Sequence, residues 1–494
     1  MKWTLQIITC VVVTQLSSSA LFAADRGSFL EAGKKQFDSG NYDRAISILS
    51  DVVRSAGDAN TRNQANYFLG LSLFENEMYF SSLSAFRHVI SAGDDRNRDV
   101  YEKAIKNAVV IADRLNMLGK VGRSLQKLSS GLVPGSVASH SHYALGVHDM
   151  ESGDLDSAIS HLKSVNPENA YYNKALLYLG ILETRKKNYK ESVFYFEKVI
   201  KLAKGKRDQF DIGDLARLNL ARTAYTMGDM ERSVELYSQF LASSSYWLTV
   251  LLEASWPLMR ANDTTVSLGN LHTITSPFYR EDLVGEGYIL RATILFSMCK
   301  YEEMKRTLAQ FLKLYDPVIR QMQAAQSSLG GAEGYFRAYQ AGASDKNRVL
   351  HRAFINYAKR DQGIQKSFKV LNLLKDEKAN LAKISRSDST RGLISGVDEA
   401  IRQLEIETGD QLQKIHKRKL AELIDQREQA NYLKIEVATG EKDLIEGQGG
   451  LPSKRVVDVE TTVGSNYQFW PFTGEYWDDE LGAYIYTTES ACVN

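Results

Sequence analysis

A chain of 494 residues with 61 Lys and Arg against 60 Asp and Glu carries a formal net charge of +1. The two signs are interspersed rather than blocked, so the charge footprint of a nucleic-acid binder is missing and no nucleic-acid partner is expected. Seven prolines in this length, with Leu, Ala, Lys and Glu plentiful, favour helix, and the length leaves room for two or three domains.

Residues 1–23 have the pattern of a signal peptide: Lys2, an apolar run through Ile7, Ile8 and Val11 to Val13, then small residues from Ser17 to Ala24. The run falls short of the roughly 20 apolar residues of a membrane span. Cleavage is expected after Ala20 or Ala23. Cys10 sits inside the run, which argues against a lipidated terminus. An exported, periplasmic protein follows, in contact with a membrane only indirectly and in association with the outer membrane at most.

From residue 24 to 318 a signature of about 34 residues recurs, clearest from Ala144 to Leu162 and from Tyr178 to Ile200; Gly146 and Gly180 are 34 residues apart. Phe29, Gly33, Phe37, Gly40, Tyr42, Ala45 and Leu49 open the series, and Leu69, Gly70, Phe74, Tyr79, Ser82 and Phe86 repeat it. Between Val100 and Leu128 the helical period persists while the glycine and turn positions blur. Leu145, Gly146, Gly153 and Ala158, then Leu179, Gly180, Tyr189 and Ser192, then Ala221, Gly228 and Ser233 restore it. Pro257 should kink or shorten a helix in a degenerate unit around Trp247 to Leu268, and Pro317 should end the last one after Ala292, Cys299 and Phe311.

This pattern resembles the tetratricopeptide repeat (TPR), a helix hairpin whose apolar face is buried only by stacking on its neighbours. The resemblance implies about eight hairpins, some degenerate, in an all-α superhelix with a groove for proteins or peptides. It places Tyr67, Leu71, Phe74, His140, Tyr143, Val147, Met150, Lys174, Leu177, Ile181, Arg185, Arg222 and Tyr225 along that groove, a lining suited to an apolar or helical peptide. The protein's own C-terminal region is the alternative occupant. Lys174, Arg185 and Asn219 match poorly the clamp with which some TPR domains grip a terminal carboxylate.

Residues 319–446 lose the signature but keep three- and four-residue apolar steps, at Leu350, Ala353, Tyr357, Ile364 and Phe368, and again from Val397 to Leu423. A long antiparallel helical hairpin or coiled coil is expected, turning between Ser385 and Arg391. Residues 447–494 form a third segment. Gly447, Gly449, Gly450 and Pro452 break the helix, "RVVDVETTV" alternates like a strand, and the tail beyond it is dense in aromatics. Phe469, Trp470, Phe472, Tyr476 and Trp477 are expected to dock on the helical body as a cap, or else to present a recognition patch for a glycan or an envelope protein. Cys299 and Cys492, the cysteines left after signal removal, admit two readings: a bridge, or a buried thiol and a free one.

The tail, with Trp-Pro-Phe, Gly-Glu-Tyr-Trp and Asp-Glu-Leu-Gly, and the stretch "LFSMCKYEEMKRTLAQFLKLYDP" are similar to exported envelope TPR proteins of gliding and predatory bacteria. That likeness implies a scaffold in a larger envelope assembly. No His-Glu-x-x-His, Gly-x-Ser-x-Gly or phosphate-binding Gly-x-x-x-x-Gly-Lys sequence occurs, so neither catalysis nor a cofactor is expected. His140, His142, His148 and His161 lack the three- or four-residue spacing of ligands on one helical face, so no metal site is expected and these histidines should face solvent or the groove. Scattered Asp and Glu on helices are expected to be solvated.

Overall fold

The computed structural model describes residues 28–93, 98–128, 133–206, 210–342, 348–384, 388–448, 474–486 and 490–492. The expected signal peptide and the strand-like Arg455–Val463 segment lie outside the described residues, among which there is no strand. The protein is an all-α helical repeat. No described helix is long and apolar enough to cross a membrane.

The repeat unit is a pair of helices joined by one kind of turn. The pairs are α1 (28–38) with α2 (Tyr42–Ser55), α3 (Ala59–Glu75) with α4 (Tyr79–Ala92), and α5 (Arg98–Arg114) with α6 (Leu118–Gln126). Then come α7 (Ala138–Ser152) with α8 (Leu155–Lys163), α9 (Tyr172–Arg185) with α10 (Tyr189–Ala203), and α11 (Phe210–Met227) with α12 (Met230–Ser238). Helix α13 (Trp247–Arg260) pairs with α14 (Thr264–Ile274), and α15 (Gly285–Ser297) with α16 (Tyr301–Ser328).

In every one of these pairs the first helix ends on a left-handed residue: Gly40, Glu77, Asn116, Gly153, Lys187, Gly228, Asn262 or Cys299. The amide of that residue bonds the carbonyl three back and the next amide bonds the carbonyl five back, as in Met78 N–H to Leu73 O at 2.8 Å and Asp154 N–H to Asp149 O at 2.9 Å. This double bond pattern is the Schellman motif, which satisfies carbonyls left over at a helix C-terminus. Five residues after each left-handed one stands a fully buried side chain, in order Ala45, Ser82, Val121, Ala158, Ser192, Ser233, Ser267 and Met304. Where it is serine, a second link appears: Ser82, Ser233 and Ser267 donate to the carbonyls of Gly70, Ala221 and Ser255 at 2.7, 3.0 and 2.9 Å. The first helix supplies a glycine where a residue sixteen positions later presses on it, as Leu49 on Gly33, Phe86 on Gly70 and Leu162 on Gly146.

A non-glycine residue in the left-handed region costs about 1 to 2 kcal/mol. Glu77, at φ 59° and exposed, has no contact that requires its side chain. Glu77→Gly should therefore raise stability by about 0.5 to 1 kcal/mol after the added chain entropy of glycine is subtracted, seen as a higher urea midpoint.

Two proline expectations need correction. Helix α16 does not end at Pro317 but continues to Ser328, and α13 passes through Pro257 to Arg260. Each proline removes one ladder bond, while Val318, Ile319 and Met322 beyond Pro317 are buried and Leu258 beyond Pro257 is too, so packing holds both helices together.

The chain beyond α16 adds α17 (Ala332–Gly342), α18 (Arg352–Arg360), α19 (Gln362–Leu381) and the 61-residue α20 (Asp388–Gln448). Contacts divide the protein into two compact units, Met1–Leu182 with Lys366–Glu405 and Glu183–Gln365 with Ile406–Asn494. In the first, Lys378 pairs with Asp398 at 2.6 Å and Lys375 with Glu405 at 4.0 Å, a register that runs α19 and the start of α20 antiparallel within one chain. Because α20 begins at Asp388, the expected turn is shorter than Ser385–Arg391; residues 385–387 lie outside the described set. In the second unit α20 lies so close to α17 that Gly409 meets the carbonyl of Ala332, and so close to α16 that Gly440 meets the ring of Tyr301.

Candidate functional site

Burial divides the thirteen expected groove residues. Tyr67, Tyr143, Val147 and Leu177 are 7%, 0%, 5% and 5% exposed and belong to the core, which corrects their assignment to a ligand-facing surface. The reason is stacking: hairpins packed side by side consume these positions for their own interface. Leu71, Phe74, His140, Met150, Lys174, Ile181 and Tyr225 are half-buried, and Arg185 and Arg222 are exposed.

In the first unit, His140 and Lys174 belong to an aromatic and ionic cluster drawn from α5, α7, α9 and the turn before α9. The Tyr143 ring stacks on Tyr171 at 4.6 Å and lies 6.3 Å from Tyr178. Lys174 Nζ donates to Asp113 Oδ2 at 2.6 Å and sits 5.8 Å from the Tyr171 ring, while the Tyr143 hydroxyl reaches Asp113 Oδ1 at 3.5 Å. Burial pushes the Tyr143 phenol up, as do its neighbours Tyr178 and Asp113, so it stays a neutral donor. His140 meets the edge of Tyr171, and burial lowers its pKa. The second unit has a comparable arrangement across α11, α12 and α13. Arg222 makes two bonds to Glu253, at 2.8 and 2.6 Å, and the Tyr237 hydroxyl donates to the same carboxylate at 3.0 Å. Trp256 Nε1 continues the series to Glu286 on α15 at 2.9 Å.

These pairings leave little of a carboxylate clamp. Lys174 is held by Asp113, and Asn219 donates to the carbonyl of Leu215 in its own helix at 2.8 Å. The histidines expected to face solvent or a groove have partners too. His161 Nδ1 lies 2.7 Å from Asp149 Oδ2, His148 Nε2 is 3.2 Å from Gln126 Oε1, and the His142 and His161 rings are 5.7 Å apart. Among the described residues no group of three or more His, Cys, Asp or Glu is arranged to hold a metal ion. Chemically, the two clusters are buried rings edged by half-buried or exposed polar groups such as Lys174 and Arg222, which suits recognition through hydrogen bonds.

Glu377 on α19 corrects the expectation that helix carboxylates are solvated. It is 2% exposed and accepts from the amides of Phe80 and Ser81, both at 2.8 Å. Those amides open α4, whose own N-cap Met78 has no capping side chain. A carboxylate from a helix about 300 positions away thus caps α4 where the helix dipole favours negative charge. Burial raises its pKa, against the lowering effect of the Ser81 and Phe80 bonds. Glu377→Ala should lower stability by about 2 kcal/mol through two orphaned amides, with Glu377→Gln recovering part of it in urea denaturation. Its helical spacing looks like that of any solvated Glu, so no sequence signal singled it out.

The aromatic tail is a strap. Residues 474–486 and 490–492 pack within the second unit against α13, α14 and α16. Tyr476 stacks on His272 at 4.9 Å, and Tyr484 meets the same ring edge-on at 4.8 Å. Gly482 N–H donates to Thr273 Oγ1 at 3.0 Å, Tyr486 N–H to Thr265 O at 3.3 Å and Ala491 N–H to Met298 O at 2.8 Å. Tyr486 also donates to Glu303. Cys492 is joined to Cys299, the left-handed residue that closes the α15–α16 turn. Trp477 departs from the expected cap: it is 58% exposed, beside Asp478, Asp479 and Glu480. Trp470 and Phe472, like Phe469, lie outside the described residues.

No protein-family model matches this chain, and no curated protein matches it either. Among solved structures it is similar to the apo form of RapI, with 10% identity and a TM-score of 0.35 over 80% of this chain and 98% of that one. It is similar also to a Rap protein complexed with competence and sporulation factor, at 13% identity and a TM-score of 0.30 over 77% and 100% of the two chains. Naa15/Naa10 bound to HypK-THB gives 14% identity and 0.30 over 78% and 59%. At these scores the likenesses carry no inference, and the helical-repeat description rests on the turns and contacts of the chain itself.

Proposed function

We propose that this protein is an exported scaffold that binds proteins or peptides and organises a complex in a bacterial cell envelope, acting by binding rather than catalysis and without a cofactor. The observation that carries the reading is the repetition itself. The same hairpin, with the same turn and the same buried position after it, recurs through both units and generates surfaces of half-buried aromatic and charged side chains. The signal-peptide pattern supports export, and the Cys299–Cys492 bond suits an oxidising compartment. Chemical crosslinking in cells, followed by capture of the chain and mass spectrometry, tests the proposal together with fractionation. Envelope proteins recovered from a periplasmic or outer-membrane fraction support it; a cytoplasmic chain recovered alone defeats it.

The exposure of Trp477 favours a second reading, a glycan- or peptidoglycan-binding module that positions a partner enzyme. An exposed indole beside carboxylates can stack on a sugar and bond its hydroxyls. Recovery of cell-wall fragments, lost in Trp477→Ala, would select this reading over the first.

A further inference from the structure

The strap differs from the helices beneath it in how it is held. It is extended and irregular, it touches helices whose hairpins are already complete, and its covalent tie is the bond between Cys299 and Cys492, 193 positions apart. Both cysteines are half-buried rather than sealed in the core, and thiol–disulfide exchange depends on such access. Gly269 of α14 has the carbonyl of Tyr484 only 1.8 Å from where a Cβ would stand, so the strap occupies the space of a missing side chain. Along α14 every residue from Ser267 to Ile274 is buried, a helix covered on all sides once the strap is in place.

We propose that the C-terminal strap is a releasable cover over α14, latched by the Cys299–Cys492 disulfide and opened by a dithiol reductant. The exchange balances: two electrons and two protons pass from the dithiol to the bond, leaving two cysteine thiols and the reductant as its own disulfide. Release uncovers the His272 ring and the Thr273 hydroxyl of α14. This inference does not depend on which partner the scaffold binds.

The test is chymotryptic digestion of the full mature chain, followed by mass spectrometry of the strap sites after Trp477, Tyr484 and Tyr486. The oxidised protein should resist at Tyr484 and Tyr486. Reduction with dithiothreitol, or Cys492→Ser without reductant, should accelerate cleavage there at least tenfold and leave cleavage in α13 to α16 unchanged. Gly269→Ala should add to the acceleration in the reduced protein, because its methyl displaces the strap while α14 keeps a better helix former. Strap sites equally slow with and without the bond would show a cover held without a latch and overturn the proposal. Sites opening throughout the second unit at the same rate as the strap would overturn it too, because the strap would then be an integral layer of the fold.

Discussion

Replacement of Gly122 by leucine is expected to lower the stability of the protein by at least about 3 kcal/mol, and replacement by alanine by about 2. Gly122 lies in α6, and a Cβ there would stand 2.4 Å from the carbonyl oxygen of Ala144 and 2.5 Å from the Cβ of His148 on α7. Neither obstacle is the free end of a flexible side chain, so α6 and α7 would have to separate. That separation also strains the buried neighbours Val121 and Leu125 on one helix and Tyr143 and Val147 on the other. Alanine regains about 1 kcal/mol in helix propensity, which offsets part of its clash but little of leucine's. Gly135→Ala is the control, since nothing lies within 4 Å of a Cβ at that position. Urea denaturation of the three variants should order them as Gly135→Ala, Gly122→Ala, Gly122→Leu; a Gly122→Leu protein as stable as the parent would show that the two helices are not in contact in solution.

Gly122 also marks where the sequence is hard to read. The repeat is plain where glycine or a small residue holds its usual place, as at Gly33, Gly70, Gly146, Gly153 and Gly228, because these residues are required by close approach or a left-handed turn. Between Val100 and Leu128 the same architecture is built from other means. The turn is closed by Asn116 in place of glycine, the position five residues on is Val121 rather than alanine or serine, and the close approach moves to Gly119 and Gly122 on the second helix. The motif blurs while the geometry persists, because tertiary packing tolerates a strained turn that local preference would avoid.

Site residues follow the same division. The TPR resemblance puts Tyr67, Tyr143, Val147 and Leu177 on helices that do form, but it does not tell the face that meets the next hairpin from the face that meets solvent. Tyr143 is fully buried against Tyr171, whereas Lys174, on α9, is half-buried and pairs with Asp113. The cap reading of the tail was accessible because aromatics need a surface to cover; that Tyr476 lies on His272 while Trp477, its neighbour, points away is a matter of three-dimensional detail. Glu377 illustrates the limit: its partners are the first amides of a helix in another part of the chain, and backbone amides leave no trace in a sequence.

The second large effect is a loss of stability in mild acid. His272 is 6% exposed on α14, between the rings of Tyr476 and Tyr484 and near the cationic Arg291; burial first, and Arg291 second, hold its pKa down to about 4. His416 is fully buried on α20, with Nδ1 3.2 Å from the Tyr335 hydroxyl and the Phe354 ring at 4.8 Å, and burial alone holds it to about 4. Unfolded, each titrates near its ordinary 6.5. Between about pH 6.5 and 4 the unfolded chain therefore binds more protons than the folded one, so stability falls as pH falls through that window. One pH unit corresponds to about 1.4 kcal/mol for each histidine, which gives about 2 kcal/mol apiece at about pH 5 and about 3 apiece when the window is fully crossed. The carboxyl of Asp282 in the same unit, whose pKa burial raises, acts with the opposite sign and tempers the loss at the acid end. Urea denaturation should show the second unit, which holds both histidines, losing about 4 kcal/mol between about pH 7.5 and 5. His416→Gln keeps an acceptor for Tyr335 but cannot take up a proton, and should remove His416's share of the pH slope, leaving those of His272 and the likewise depressed His351, at some loss of stability in neutral solution. A slope unchanged in His416→Gln would mean that His416 is protonated in the folded protein, and the aromatic slot around it would then have to be open to water.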